Sequence, residues 1–481
     1  MWSKVRRTEG WFYAAAVSLV LGFWLAHVVS LRLLITYDGL GYIDLSDVLG
    51  SSRFPADWNV TRTPLFPLSL KIAFLMFGRQ ALTAILVPAL YALGGTLLLG
   101  ASVKRLAGPL AAAVVILAVS AFPTLVAYEH CVLTETGSLF FISLALYTLL
   151  WTPRRLWHRT AALALALAAA YYWRQNILSL APVIALVHVL TAGNEFQQAP
   201  RGAWWNRILS AWPLAANGFV VLFVPLLLTA FWAPYLHSSE LRDTTLKQGM
   251  LRQALLPPEH PLVGKYRDDY YLAIRASLYH GNFISGMRWN LMSELGDKIW
   301  GNSPPKQVPR LFLDLIAQNP GRYINAFDRT MAFYAGMNGV ESDNRIYRDT
   351  VLSGAFAGAG ISSGPEPLRS LIAHDFEQRT TPSLVMRFIR GLIPIYEPLL
   401  IFANIVTALG LVFAVAQRDW RLMAFCAIPC VYALGYAVML VSLDRFVVPV
   451  YPLSLANLVL LPIAVHRRWP GQRASGNVRR P

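Results

Sequence analysis

Four sets of charged residues stand beside apolar stretches of this chain. The first is Tyr37-Asp38-Gly39, followed by Tyr42, Asp44 and Asp47. A carboxylate such as Asp38, placed where a membrane span ends, can take a proton from an incoming hydroxyl as a general base. It can equally be a solvated loop acid or a helix cap. Asp44 and Asp47 share a helix face, which suits solvation. The second is Thr61-Arg62-Thr63-Pro64-Leu65-Phe66-Pro67. An arginine ahead of a proline-anchored helix offers a rigid fork of donors to a phosphate, or anchors the helix at the interface. Asn59-Val60-Thr61 matches a glycosylation sequon. The third is Tyr128-Glu129-His130 with Thr134-Glu135-Thr136. Glu135 opens an apolar run, where an acid either complements the helix dipole or serves chemistry as a second acidic group. Glu129 and His130 can position a substrate, or hold a metal together with Asp38, although nothing in the spacing fixes such a geometry. The fourth set is basic: Arg174 within Trp173-Arg174-Gln175-Asn176, and Arg445 within Asp444-Arg445-Phe446-Val447-Val448-Pro449.

The elements that must position these residues are membrane spans. The chain has 481 residues, of which 56% are hydrophobic and only 14% charged, against roughly 25% charged in soluble domains. Mean hydropathy is +0.45. Aromatic residues at 12% exclude a disordered chain, and three cysteines exclude a disulfide scaffold. The net charge of +16 does not point to nucleic acid, because most of the excess lies in short connections between apolar stretches.

Apolar runs near 11–35, 80–103, 108–127, 132–152, 213–236, 392–416, 420–442 and 446–465 each predict one span. The run 160–192 is far too long for one span at about 1.5 Å per residue and suits two with a tight turn at Arg174. The chain therefore reads as an all-α polytopic membrane protein of about ten transmembrane helices. Leu65 to Gly78 is too short to span and predicts an interfacial helix. The basic residues Lys4, Arg6, Arg7, Lys104, Arg105, Arg154, Arg155, Arg159, Arg201, Arg207, Arg418 and Arg421 fall on one side of this topology. The tail residues Arg467, Arg468, Arg473, Arg479 and Arg480 join them. That bias places both termini in the cytoplasm and the four charged sets outside.

Residues 1–236 then form a transmembrane module whose first outer loop, 37–79, carries the catalytic candidates. Residues 237–390 form a mostly helical extracytoplasmic domain. It is marked by the helical spacing of Val308–Gln318 and Arg322–Tyr334 and punctuated at Pro257-Pro258, Pro304-Pro305 and a glycine-rich run at 354–364. Residues 391–466 return to the membrane, and 467–481 are a basic tail. Cys426 and Cys430 fit core packing. The sequence contains no Walker loop, no GxSxG elbow, no HExxH and no dinucleotide fingerprint. This disfavours an ATP-driven pump or an enzyme using a cytosolic nucleotide sugar.

In their order and placement these motifs resemble the C-type (GT-C) integral membrane glycosyltransferases. The resemblance is to the bacterial relatives of protein O-mannosyltransferases and of the lipid A aminoarabinose transferase. It rests on Asp38 with Tyr42 after the first span, and on Arg62-Thr63-Pro64 ahead of a helix that ends in Phe77-Gly78-Arg79. It also rests on Thr134-Glu135-Thr136, Trp173-Arg174, Asn319-Pro320-Gly321-Arg322-Tyr323 and Arg445-Phe446-Val447-Val448-Pro449. The family often has two adjacent acids where this chain has Asp38-Gly39, and a tyrosine where it has Phe446. The resemblance implies a GT-C-like fold and a donor sugar linked to a polyprenyl phosphate. The acceptor is a glycan, lipid or protein outside the cytoplasm of a bacterial inner membrane. Asp38 would be the base, with Glu135 as second acid; Arg62, Arg174 and Arg445 would face the donor phosphate, and Tyr42, Glu129 and His130 would position substrate. No cofactor or metal is required, although a divalent ion is compatible. Two other classes compete. An O-antigen polymerase or ligase would rely on His260, His280 or His374. A lipid flippase or transporter would show two similar halves, and the sequence has none.

Overall fold

A computed structural model describes residues 2–31, 33–58, 62–151, 156–197, 204–230, 243, 246–251, 253–279, 295–301, 308–335, 348, 349, 351, 352, 384–439 and 444–468. Among them, one parallel bridge joins Leu34 to Cys131, and the remaining regular structure is helical. The helices are α1 (Trp2–Ser30), α2 (Tyr37–Val48), α3 (Leu65–Phe77), α4 (Ala81–Ala107), α5 (Pro109–Ser120), α6 (Pro123–Glu129), α7 (Glu135–Leu149) and α8 (Leu156–Trp173). They continue with α9 (Ala181–Gln197), α10 (Trp204–Ala230), α11 (Arg267–Tyr279), α12 (Val308–Gln318), α13 (Pro320–Tyr334), α14 (Leu384–Ala416), α15 (Trp420–Val438) and α16 (Tyr451–Arg468). Tight 3-10 turns, Gln175–Leu180 and Asp444–Val450, lead into α9 and α16. Asn59-Val60-Thr61, Pro304-Pro305, the run 354–364 and the tail beyond 468 lie outside the described residues.

Helices dominate because apolar segments in lipid must satisfy their own backbone groups. Prolines and glycines set the breaks. α3 starts just after Pro64 and ends at Gly78, whose φ of +82° suits glycine. α5 and α6 are bent by 62° relative to each other. The bend falls just before Pro123, whose ring and missing N–H stop a helix from running through.

Six helices are long and apolar enough to cross a membrane: Thr8–Ser30, Ala81–Ala107, Gln175–Gly193, Leu384–Ala416, Trp420–Val438 and Phe446–Arg467. The bent pair α5 and α6 makes a seventh if it is one span. The expectation of about ten also counts α7, α8 and α10. Helices stand at all three places, but none passes that test. α7 has only 15 residues, and both α7 and α8 are interior helices. Their Ser138, Ser143, Thr148, Arg159 and Thr160 are buried against other helices, a setting that tolerates polar groups lipid would exclude.

The bundle has two distinct ends. At one, Lys104 stands over the Tyr13 ring at 4.4 Å and Arg105 over the Tyr147 ring at 3.9 Å. Arg467 donates to the Leu106 carbonyl at 2.7 Å. The first half of α1 and the end of α16 therefore both lie at this basic end. At the opposite end α2 and α3 form a hairpin, closed by Lys71 donating to the Leu49 carbonyl. α3 leaves Leu68, Ile72, Leu75, Met76 and Phe77 exposed, as an interfacial helix does. The helices expected at Val308–Gln318 and Arg322–Tyr334 are α12 and α13. They share an apolar cluster that includes Leu251, Tyr270, Trp300, Phe312 and Ala326. Tyr323 Oη donates to the Val438 carbonyl at 3.0 Å, and Tyr451 Oη to that of Tyr334 at 3.2 Å. Both bonds tie α13 to the same end as α2.

α4 and α5 pack so closely that a Cβ on Gly100 would meet Ile116 Cγ2 at 2.2 Å, whereas one on Gly22 meets nothing within 4 Å. Overpacking of this kind costs about 1–3 kcal/mol. Gly100→Ala is therefore expected to lower the thermal midpoint in detergent by several degrees, and Gly22→Ala to leave it in place. Equal midpoints would contradict the packing described.

Candidate active site

The end of the bundle opposite the basic residues gathers two arginine–carboxylate pairs. The outer one begins with Thr36, which caps α2 by accepting from the Gly39 amide at 3.1 Å. The cap is thus Thr36, not Asp38, which stands in the first turn where the helix dipole favours an acid. A Cβ at position 39 would lie 3.1 Å from the Val132 carbonyl oxygen. Any side chain there would need that backbone to give by a few tenths of an ångström.

Arg62 Nη2 donates to Asp38 Oδ1, and Arg62 Nη1 donates to the Tyr42 hydroxyl at 2.9 Å. The Arg62 carbonyl accepts from Trp58 Nε1 at 3.0 Å, which fixes the loop that presents the guanidinium. Tyr42 first, working against burial, and then Asp38 hold the Arg62 guanidinium above its ordinary pKa. Arg62 is therefore cationic at any working pH. With five N–H donors it can serve Asp38, Tyr42 and an arriving anion together. Asp47 and Arg79 pair at the rim, at 2.7 Å and 2.8 Å. Being exposed, that pair contributes little.

The inner pair is Glu135, the first residue of α7, with Arg174, which follows α8. Arg174 Nη1 lies 3.2 Å from Glu135 Oε1, and the two side chains are 11% and 3% exposed, against 28% and 20% for Arg62 and Asp38. Phe446 lies under the Arg174 guanidinium at 4.7 Å. Tyr436 stacks on Phe446 at 5.2 Å, and its hydroxyl accepts from Asn176 Nδ2 at 2.9 Å. Tyr42, Tyr432 and Tyr436 are all within electrostatic reach of Arg174. The Tyr42 ring meets Phe66 at 4.9 Å, and Phe66 meets Trp173, the neighbour of Arg174, at 5.0 Å.

Trp173 holds them together. Its carbonyl accepts from Thr63 Oγ1 at 2.8 Å, next to Arg62, and its Nε1 donates to the Thr134 carbonyl at 2.7 Å, next to Glu135. Its ring rests on Phe66 and Tyr91. A Cβ on Gly137 would fall 2.0 Å from that ring, so only glycine lets α7 approach it.

Glu129 and His130 were expected to face outward with Asp38. The structure turns them into the bundle. His27 Nε2 lies 3.3 Å from Glu129 Oε2, and His27 Nδ1 lies 3.1 Å from His130 Nε2. All three are buried, because polar groups at that depth need one another. The His130 carbonyl accepts from the Leu34 amide at 2.8 Å, so this polar run helps set where α2 begins. No group of three His, Cys, Asp or Glu side chains among the described residues could hold a metal ion. Here each imidazole nitrogen of His27 faces its own neighbour instead of a shared point.

Arg445 lies in the turn Asp444–Val450, next to Phe446, and its side chain is outside the described part of the structure. His280 and His374 also lie outside it. His260 Nδ1 accepts only from the local Leu262 amide, at 3.2 Å. Three residues that matter here were not legible beforehand. A lone histidine inside the first span is the signal that would have found His27. Tyr432 and Tyr436 sit one helical turn apart, but tyrosine is ordinary in spans.

No protein-family model and no curated protein matches this chain. Among solved structures, a crystal structure of ArnT from Cupriavidus metallidurans bound to undecaprenyl phosphate matches. The match covers 94% of this chain and 78% of that one, at 16% identity and a TM-score of 0.37.

The inner pair is buried, so breaking it leaves an uncompensated charge. Glu135→Ala is expected to cost roughly 3–5 kcal/mol. The double variant Glu135→Ala with Arg174→Met should recover much of that. Thermal midpoints of the two single variants and the double in detergent check this, and strictly additive losses would contradict a coupled pair.

Proposed function

We propose that this protein is a membrane glycosyltransferase that moves a sugar from a polyprenyl-phosphate-linked donor to a hydroxyl-bearing acceptor. The observation that carries the reading is Asp38 held by Arg62 beside Tyr42, at the end of the bundle away from the basic residues. A carboxylate and a guanidinium in contact at headgroup depth supply a base for the acceptor and a cation for the leaving phosphate. The sequence motifs support the same reading. The segregation of Lys104, Arg105 and Arg467 to the other end supports a cytoplasmic side there, with the site outside a bacterial inner membrane.

The step is one displacement. Asp38 takes the proton from the acceptor hydroxyl as its oxygen attacks the anomeric carbon. The bond from that carbon to the phosphate oxygen breaks, and its electron pair leaves with the polyprenyl phosphate. Attack opposite the phosphate inverts the anomeric centre. The leaving group is already an anion, so no acid is needed to protonate it. Arg62 stabilises its charge through hydrogen-bonded pairing, sharing its donors between the phosphate and Asp38. Arg445 lies in the turn beside Phe446 and is a second candidate for the phosphate. Glu135, at ion-pair distance from Arg174, holds that arginine in place and does not act as a second base. Glu129 and His130 act from behind the site, through the backbone bond to Leu34. The reaction as written needs no cofactor.

Base catalysis typically contributes 10²–10⁴-fold. Asp38→Asn is isosteric and partly exposed, so it should fold normally. It should reduce release of polyprenyl phosphate at least about 10²-fold while donor binding persists. Full activity in this variant removes Asp38 from the mechanism.

A further inference from the structure

We infer that an inner set of side chains, Glu135, Thr136, Arg174 and Tyr432, reads the transferred sugar, and that this sugar is uncharged. The inference rests on the glycosyltransferase reading and extends it to the substrate class.

Four polar atoms there are buried without a hydrogen-bond partner among the described residues: Glu135 Oε2, Thr136 Oγ1, Arg174 Nη1 and Tyr432 Oη. Arg174 Nη1 is at ion-pair distance from Glu135 Oε1, yet its N–H is not aligned on that oxygen. The Tyr432 ring packs edge-on against Tyr436, with centroids 5.3 Å apart. A buried polar group without a partner is unfavourable. Orphans scattered through a bundle need no common explanation, but these four adjoin. Glu135 and Thr136 are consecutive at the start of α7, Arg174 is against Glu135, and Tyr432 packs on Tyr436, which stacks on the Phe446 ring beneath Arg174.

The surroundings suit a ring that is apolar on its faces and polar at its rim. Phe446 and Tyr436 form a stacked aromatic wall beside the guanidinium, and Asn176 fixes Tyr436. A few polar groups set against aromatic surface is how small-ligand sites gain orientation. The set is linked to the Asp38–Arg62 pair by Tyr42, Phe66 and Trp173, whose rings follow one another at 4.9 Å and 5.0 Å, and it lies deeper than that pair. A donor whose phosphate meets Arg62 can therefore extend its sugar inward.

The charge balance selects among sugars. One carboxylate faces one guanidinium, so the set is neutral. A hydroxyl can donate to Glu135 and accept from Arg174 or Tyr432. An ammonium would be brought against Arg174 and a carboxylate against Glu135, in a setting where an unmatched ion is expensive.

The test uses the full-length protein in detergent with membrane extract as acceptor source. The donors are polyprenyl-phosphate mannose, glucose and arabinose, alongside 4-amino-4-deoxyarabinose and glucuronate donors. Release of polyprenyl phosphate is followed for wild type, Tyr432→Phe and Thr136→Val. A neutral donor should be used at least about tenfold better, in kcat/KM, than either charged one. Each variant should raise donor KM several-fold, more than it lowers kcat, with no loss of thermal midpoint. Release that is equal for charged and neutral donors, or that shows unchanged KM in both variants, overturns the inference and leaves the glycosyltransferase reading standing. No release from any donor overturns that reading, and the inference with it.

Discussion

The site depends on one side chain that carries no charge. Trp173 accepts from Thr63 through its carbonyl and donates to the Thr134 carbonyl through its ring nitrogen. These bonds reach the neighbours of Arg62 and Glu135, which come from segments far apart in sequence. The ring is fully buried, and the bare Gly137 lets α7 lie against it. A membrane bundle gains little from apolar contact between helices, because lipid is equally apolar. Close fits at glycine and hydrogen bonds such as these are what fix helices relative to one another. Losing either Trp173 bond would let the two ion pairs drift apart, and misplacement of about 1 Å is costly to a reaction.

The two pairs are graded by depth, and depth assigns their work. Asp38 and Arg62 are partly exposed, so their partnership can be exchanged for a substrate at modest cost. Glu135 and Arg174 are nearly closed off, and a buried pair of that kind is strongly destabilised by loss of either member. An exchangeable pair suits proton transfer and phosphate binding, whereas a locked pair suits a fixed template for hydroxyl groups. The His27–Glu129–His130 run adds a third polar layer behind them. It anchors the backbone of the chain that leads into α2.

The sequence made the candidates visible but not their partners. Asp38, Arg62, Glu135 and Arg174 stand out because a charge at the edge of an apolar run needs a reason. That Arg62 meets Asp38 depends on the α2–α3 hairpin folding back over 24 positions, which no local pattern encodes. The turn between two spans points Glu129 and His130 outward, and nothing local pairs them with His27, which lies 103 positions before His130 inside an apolar run. The positions of α7 and α8 were legible, although α7 is short for a span and α8 opens on polar residues. Those residues are tolerated because both helices are interior.

The most direct test of the account is a cryo-electron microscopy map of the full chain in lipid nanodiscs loaded with undecaprenyl phosphate. The account predicts phosphate density within hydrogen-bond reach of the Arg62 guanidinium, on the side of Tyr42, with Asp38 still beside it. Density only at the other end of the bundle, near Lys104, Arg105 and Arg467, would contradict it.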